Sequence, residues 1–251
     1  MAIIKTDQEI QALREGGAIL AQLVAMTTEA VQPGMTTNDL DALFVEGLKK
    51  FDGAEASFLG YREYPKSICT SINSQVVHGI PGSTVLKEGD IIGVDCGVRY
   101  KGMCTDMART VSVGTVVRAE VEQLIAVTKQ SLQEAIAVMQ PGNTLGDIGS
   151  AVQTYVEQHG YSVVRALVGH GVGQHVHEEP NVPNYGRKGT GLELQAGMVL
   201  AIEPMVNIGK YEVVFEEDGW TVSTIDGTLS AHFEDTIAIL PSGPEVLTHY
   251  S

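Results

Sequence analysis

The chain has 251 residues, 43% of them hydrophobic, and a formal net charge of −15. That length and content suit one large domain or two small ones with an ample core, and so acidic a surface opposes non-specific binding to nucleic acid or anionic membrane. No apolar run approaches the length of a membrane span, and the opening Met-Ala-Ile-Ile-Lys-Thr-Asp lacks the basic and apolar segments of a secretory signal.

In chain order, Thr6-Asp7-Gln8-Glu9 forms a capping box, with the threonine capping a helix start and the glutamate reaching back. Ile10, Leu13, Leu20 and Val24 follow at helical spacing, and Pro33-Gly34 ends that helix. Thr36 caps a second helix with Leu40, Leu43, Phe44 and Leu48 on one face. Gly89 then turns the chain into an apolar β-run that ends on Asp95. Asp95 and Asp106 flank Arg99-Tyr100-Lys101-Gly102, and the Lys-Gly pair predicts a tight hairpin. A turn at Tyr100-Lys101 sets the two acids directly opposite. A turn at Lys101-Gly102 sets them diagonally, still on one face, because side chains alternate along a strand. Val121, Leu124, Ile125, Leu132 and Ile136 predict a third helix, and Thr144 caps a fourth carrying Leu145, Ile148, Val152 and Val156. A buried β-run over 198–202 ends at Glu203, and Glu234 opens another over 235–240.

These elements repeat. The segment around Gln32-Pro33-Gly34 returns 108 residues later at Gln140-Pro141-Gly142, and the run ending on Asp95 returns at the same offset ending on Glu203. Asp106 and Glu234 correspond at a wider spacing, so the second copy carries a longer hairpin. The pattern predicts an α/β (α+β) fold of two pseudo-twofold halves, about 6–117 and 118–240, in one domain spanning 1–251. A central, mainly antiparallel sheet should carry its helices on the outer face. Four carboxylates then converge near the axis. Buried together they repel and need protons, a basic partner or metal, here roughly two divalent cations.

The stretch from Gly169 to Pro180 holds His170, His175 and His177 among glycines, and His78 sits between a β-run and a Gly/Pro loop. Each of these is either a site residue or a turn residue bonded to backbone. His159, at a helix end, reads as a cap. Cys69, Cys96 and Cys104 are too few for a disulfide framework and fit a reducing, cytoplasmic setting. Lys49, Lys50, Arg62 and Lys66 read as a solvated face.

Taken with His78-Gly79-Ile80-Pro81, His177-Glu178-Glu179-Pro180, Glu203-Pro204-Met205 and Asp218-Gly219-Trp220, these motifs resemble the type I methionine aminopeptidases, whose fold is called pita-bread. The likeness runs from the first helix to Leu240. It implies a dinuclear-metal peptidase that removes the initiator methionine from peptides and nascent proteins. The implied metal ligands are Asp95, Asp106, His170, Glu203 and Glu234, holding two divalent ions of cobalt, manganese, iron or zinc. Glu203 would also act as base, with His177 at the scissile carbonyl and His78 beside the leaving nitrogen. The implied methionine pocket comprises Tyr61, Tyr64, Cys69 and Trp220, with Phe58 and Val176 at its wall. Phe58, Val176, His175 and His232 depart from what the family usually carries. The resemblance also implies a monomer acting on peptide N-termini, with a transient ribosome contact and neither a specific nucleic acid nor a membrane as partner. The alternatives are an Xaa-Pro peptidase of the same fold, usually with an extra N-terminal domain, and a non-catalytic pita-bread module. Such modules lose ligands, whereas all five acid and histidine positions are filled here.

Overall fold

Capping sets the first element. In the computed structural model, which describes residues 4–116 and 118–249, the Thr6 hydroxyl accepts from the Glu9 amide at 3.3 Å and the Glu9 carboxylate accepts from the Thr6 amide at 2.8 Å. Residues 1–3, 117, 250 and 251, which fall within the expected 1–251 domain and at the end of its first half, lie outside the described residues. The box starts α1 (Asp7–Glu29), and Thr36 with Asp39 repeats it at α2 (Thr37–Leu48). In the second half α3 (Ala119–Ala137) begins at Arg118 without a side-chain cap, while the Thr144 amide donates to Asp147 at 2.8 Å to open α4 (Leu145–Gln158). Among the described residues, no helix is long and apolar enough to cross a membrane.

The strands of the first half are β1 (Ala54–Ala56), β2 (Ile68–Ile72), β3 (Gln75–Val77), β4 (Ile91–Tyr100) and β5 (Met103–Ser112). The second half supplies β6 (Ser162–Val163), β7 (Gly169–Gly171), β8 (Glu178–Val182), β9 (Val199–Ile202) and β10 (Met205–Asn207). It continues with β11 (Val213–Phe215), β12 (Val222–Thr224), β13 (Ser230–His232), β14 (Asp235–Leu240) and β15 (Gly243–Val246). The described strand pairs are all antiparallel. β4 and β5 pair from Tyr100↔Met103 to Ile91↔Ser112 around a Lys101-Gly102 turn, whose φ angles of 49° and 81° give the twist a two-residue hairpin favours. Asp95 therefore faces Ala108 and Asp106 faces Gly97, the diagonal one of the two arrangements the hairpin allowed.

The repeat is written into the hydrogen bonds. Gly34 N–H donates to Leu86 O at 2.9 Å, and Gly142 N–H to Leu194 O at the same distance. The bridge between Thr36 and Val85 likewise recurs between Thr144 and Glu193. α1 lies on β4 and β5, while α3 packs on α4, β10 and β13. Two apolar cores result, one around Leu20, Phe44 and Ile92, the other around Leu124, Ile148 and Ile237. A third cluster, with Leu13, Phe58, Tyr64, Cys69 and Val176, fills the space between the halves.

The described strands form four sheets, two of them three-stranded, and the expected central sheet is split between the other two, which share one seam. A single backbone bridge among the described residues joins them, with Glu234 N–H donating to Ala108 O at 3.0 Å. On either side a threonine hydroxyl stands in for the missing ladder. Thr236 accepts from the Asp106 amide and donates to the Asp106 carbonyl, both at 2.9 Å. Thr110 does the same for His232, also at 2.9 Å. Both threonines thus hold the backbone of residues beside the acids.

Ahead of α1, Lys5 N–H donates to Gly197 O at 2.7 Å, and its ammonium pairs with Glu178, with the two side chains only 1% and 3% exposed. The pair clasps the chain's start to the loop carrying His177. Lys5→Met should leave Glu178 a buried carboxylate with no opposite charge, held only by the His175 amide, and destabilise the fold by about 3–5 kcal/mol. Urea unfolding measures this as a lower midpoint at constant slope, and an unchanged midpoint would remove the clasp from the fold's energetics.

Candidate metal centre

Five side chains meet at the seam. Asp95 comes from β4, Asp106 from β5 and His170 from the middle of β7, while Glu203 directly follows β9 and Glu234 directly precedes β14. All five are buried. Oxygen and nitrogen atoms of Asp106, His170 and Glu234 lie within 4.8 Å of one another, and His170 Nε2 is 3.5 Å from Glu203 Oε1. Glycine on both sides is what lets His170 in. A Cβ at Gly169 would sit 2.4 Å from Ala201 O, and one at Gly171 would sit 2.3 Å from Glu179 O. The His170 Nδ1 lies 2.9 Å from Gly171 O. A carbonyl only accepts, so Nδ1 carries the proton and Nε2 turns its lone pair to the carboxylates.

Burial and mutual repulsion dominate the electrostatics. Burial pushes Asp95 up to about 7, with the neighbouring Asp106 carboxyl opposing. Asp106 rises well above the usual carboxylate range through burial first, then the charges of Asp95 and Glu203. Burial and then Asp95 raise Glu203, and Glu234 rises through burial and then the other three acids. Asp95 Oδ1 and Glu234 Oε1 are buried with no hydrogen-bond partner among the described residues. Four carboxyl groups with free lone pairs and one imidazole nitrogen fit hard divalent cations.

The acids form the floor of a cavity of about 530 Å³. Phe58, Tyr61, Tyr64, Cys69, His78, His177 and Trp220 line it. His78 holds a φ of 62°, a left-handed backbone that persists only when its surroundings enforce it. The next carbonyl, Gly79 O, accepts from Thr70 N–H at 2.8 Å and from the Tyr64 hydroxyl at 3.3 Å. His177 is exposed on one side, its ring 4.1 Å from the His170 ring and 5.2 Å from that of Tyr61. Burial pushes His78 and His170 down to about 4, so both are neutral at pH 7. The Asp218 carboxylate accepts from the amides of Trp220 and Thr221 at 2.9 and 2.8 Å, which fixes the turn presenting the indole. The Trp220 ring meets Tyr64 edge-on at 4.9 Å. Burial pushes the Cys69 thiol well up, so the wall there is an uncharged sulfur.

Two expectations change. Val176 does not line the cavity, because its neighbour His177 faces inward. Val176 instead packs into the apolar cluster of Phe58, Tyr64 and Cys69. Arg62, read as part of a solvated face, lines the cavity with its guanidinium 5.4 Å from the Tyr61 ring centre. Leu167, Glu178 and Asn181 also line the cavity. Glu178 lay inside the histidine-rich motif, whereas Leu167 and Asn181 carried no signal. Phe58 finds its space over Gly97, where a Cβ would lie 2.6 Å from Phe58 Cε1.

Raised carboxyl values link the site to stability. The cation-free folded chain keeps protons that the unfolded chain, with carboxyl pKa near 4, has released. That contribution is complete below about pH 4 and is lost as pH rises through about 7 for Asp95, and the other three, raised by burial and repulsion, act in the same direction. The depressed histidines have the opposite sign, but unfolded histidine is already neutral above about pH 7. Around pH 7 the chelator-treated chain should therefore lose stability as pH rises, by up to about 1.4 kcal/mol per pH unit from Asp95, and added divalent cation should restore it. Thermal melts with and without chelator test this, and a melting temperature independent of pH and cation would contradict it.

Comparison with known proteins agrees with this geometry. Residues 11–241 match metallopeptidase family M24. A methionine aminopeptidase of Clostridium perfringens is 51% identical over 248 residues, covering 99% of both chains. The crystal structure of the Rickettsia prowazekii methionine aminopeptidase superposes with a TM-score of 0.96 at 43% identity, covering 99% of this chain and 100% of that one. The Thermotoga maritima methionine aminopeptidase superposes with a TM-score of 0.97 at 43% identity over 100% of both chains. The fold is the pita-bread arrangement, and the chain belongs to metallopeptidase family M24.

Proposed function

We propose that this chain is a methionine aminopeptidase, removing the N-terminal methionine from peptides and nascent proteins. The observation that carries the reading is a cluster of buried, partly unpartnered carboxyls on the floor of a cavity whose wall is aromatic and sulfur-bearing. On this reading the two halves act as one catalytic domain in the cytoplasm, a setting that fits three buried, unpaired cysteines. Asp95, Asp106, His170, Glu203 and Glu234 would hold two divalent cations of cobalt, manganese, iron or zinc. Bound there, the cations would supply Lewis acidity and make water acidic enough to ionise at neutral pH.

The remaining work falls to side chains. The acidic floor favours the positive α-amine of a free N-terminus, which limits cleavage to the first peptide bond. Phe58, Tyr61, Tyr64, Cys69 and Trp220 offer a polarizable apolar wall suited to a thioether. Glu203 takes the proton of the attacking water on a carboxylate oxygen. His177 donates a ring N–H toward the carbonyl oxygen as negative charge develops there. His78, neutral at pH 7, bonds the leaving nitrogen and relays the proton that Glu203 has taken.

A peptide-release assay on metal-loaded and chelated protein tests the reading. Methionine should be released from Met-Ala-Ser only with metal present, and an Xaa-Pro peptide should stay intact. Release from the Xaa-Pro peptide would favour the rival peptidase, and no release from either would favour a binding module. Glu203→Gln should lower kcat by at least about 100-fold, a loss typical of a missing general base, with a much smaller change in KM. Near-wild-type turnover in that variant, loaded with metal, would sink Glu203 as the base.

A further inference from the structure

His232 ends β13 with its side chain buried and aimed at the floor of the site. Two contacts hold it there. Its backbone is bonded in both directions to the Thr110 hydroxyl, and it pairs with Met205, two residues beyond Glu203. The ring Nε2 lies 3.8 Å from Glu203 Oε2 and 3.8 Å from Glu234 Oε2, and has no hydrogen-bond partner among the described residues. Glu203 thus stands between two imidazoles, with His170 Nε2 at 3.5 Å from its other oxygen.

The two rings differ in what they can do. His170 bonds a carbonyl through Nδ1, which frees the Nε2 lone pair. A lone pair on His232 Nε2 would instead face two carboxylate oxygens and be repelled by both. A proton on that nitrogen turns both contacts attractive. We propose that His232 is a positioning residue for the cation site, its Nε2–H orienting the Glu203 and Glu234 carboxylates without itself binding metal. Resting on the proposed cation site, the inference adds a sixth residue with a distinct role. Cations drawing the carboxylates into place would let one contact close to hydrogen-bond length.

Two measurements test it, with zinc as the probe. In 15N-histidine NMR of the zinc-loaded wild-type chain, His232 Nε2 should carry the proton and Nδ1 should be bare. A zinc-bound Nε2 with the proton on Nδ1 overturns the proposal. Calorimetric titration of zinc into the cation-free wild type, His232→Gln and His232→Leu gives the second test. The leucine variant should bind about 10–100-fold more weakly, the loss typical of an outer-sphere partner, and glutamine, which keeps an N–H donor, should recover most of the affinity. Equal affinity in all three, or equal weakening in both variants, overturns the proposal. A wild-type chain that takes up no zinc overturns the cation site itself and this inference with it.

Discussion

Four carboxyl groups buried close enough to repel one another are the constraint on which the rest depends. Each is expensive to bury charged, and each makes its neighbours more expensive. Burial and repulsion raise all four, and no carboxylate placed for stability alone would be left with bare buried oxygens such as Asp95 Oδ1 and Glu234 Oε1. The rest of the fold supplies the stability that tolerates this cluster. Two apolar cores flank it, one in each half, and α1 lies across the hairpin that delivers Asp95 and Asp106.

The pseudo-twofold arrangement explains how such a cluster is assembled. Each half supplies two acids from two strands, Asp95 and Asp106 from within β4 and β5, Glu203 and Glu234 from beside the ends of β9 and β14. Docking the halves through the Ala108–Glu234 bridge and the β3–β12 pairing brings the pairs together. The threonines at 110 and 236 let the strands approach without a continuous ladder. His170 breaks the symmetry. It enters from the second half only, through a strand whose flanking glycines have no room for a side chain.

Much of this was legible in the sequence because its signals are local or periodic. The Thr6–Glu9 box, the Thr36 cap, the hairpin at the Lys-Gly pair and the 108-residue offset all survive intact in the structure. Strand alternation fixed the diagonal relation of Asp95 to Asp106 once the turn was known. The features that were not legible depend on residues far apart in the chain. Lys5 and Glu178 are 173 positions apart, and nothing in either segment names the other. The role of Gly97 in seating Phe58 needs the packed structure, as does the approach of His232 to Glu203. The family resemblance alone places Val176 at the pocket wall, and it packs instead with Phe58, Tyr64 and Cys69.

The central claim is that the buried acids are kept together for divalent cations. Anomalous diffraction from crystals soaked in manganese tests it most directly. Two peaks should lie among Asp95, Asp106, His170, Glu203 and Glu234, with His232 outside the coordination spheres. The absence of any peak at the seam, or manganese held by a different set of residues, would contradict the account.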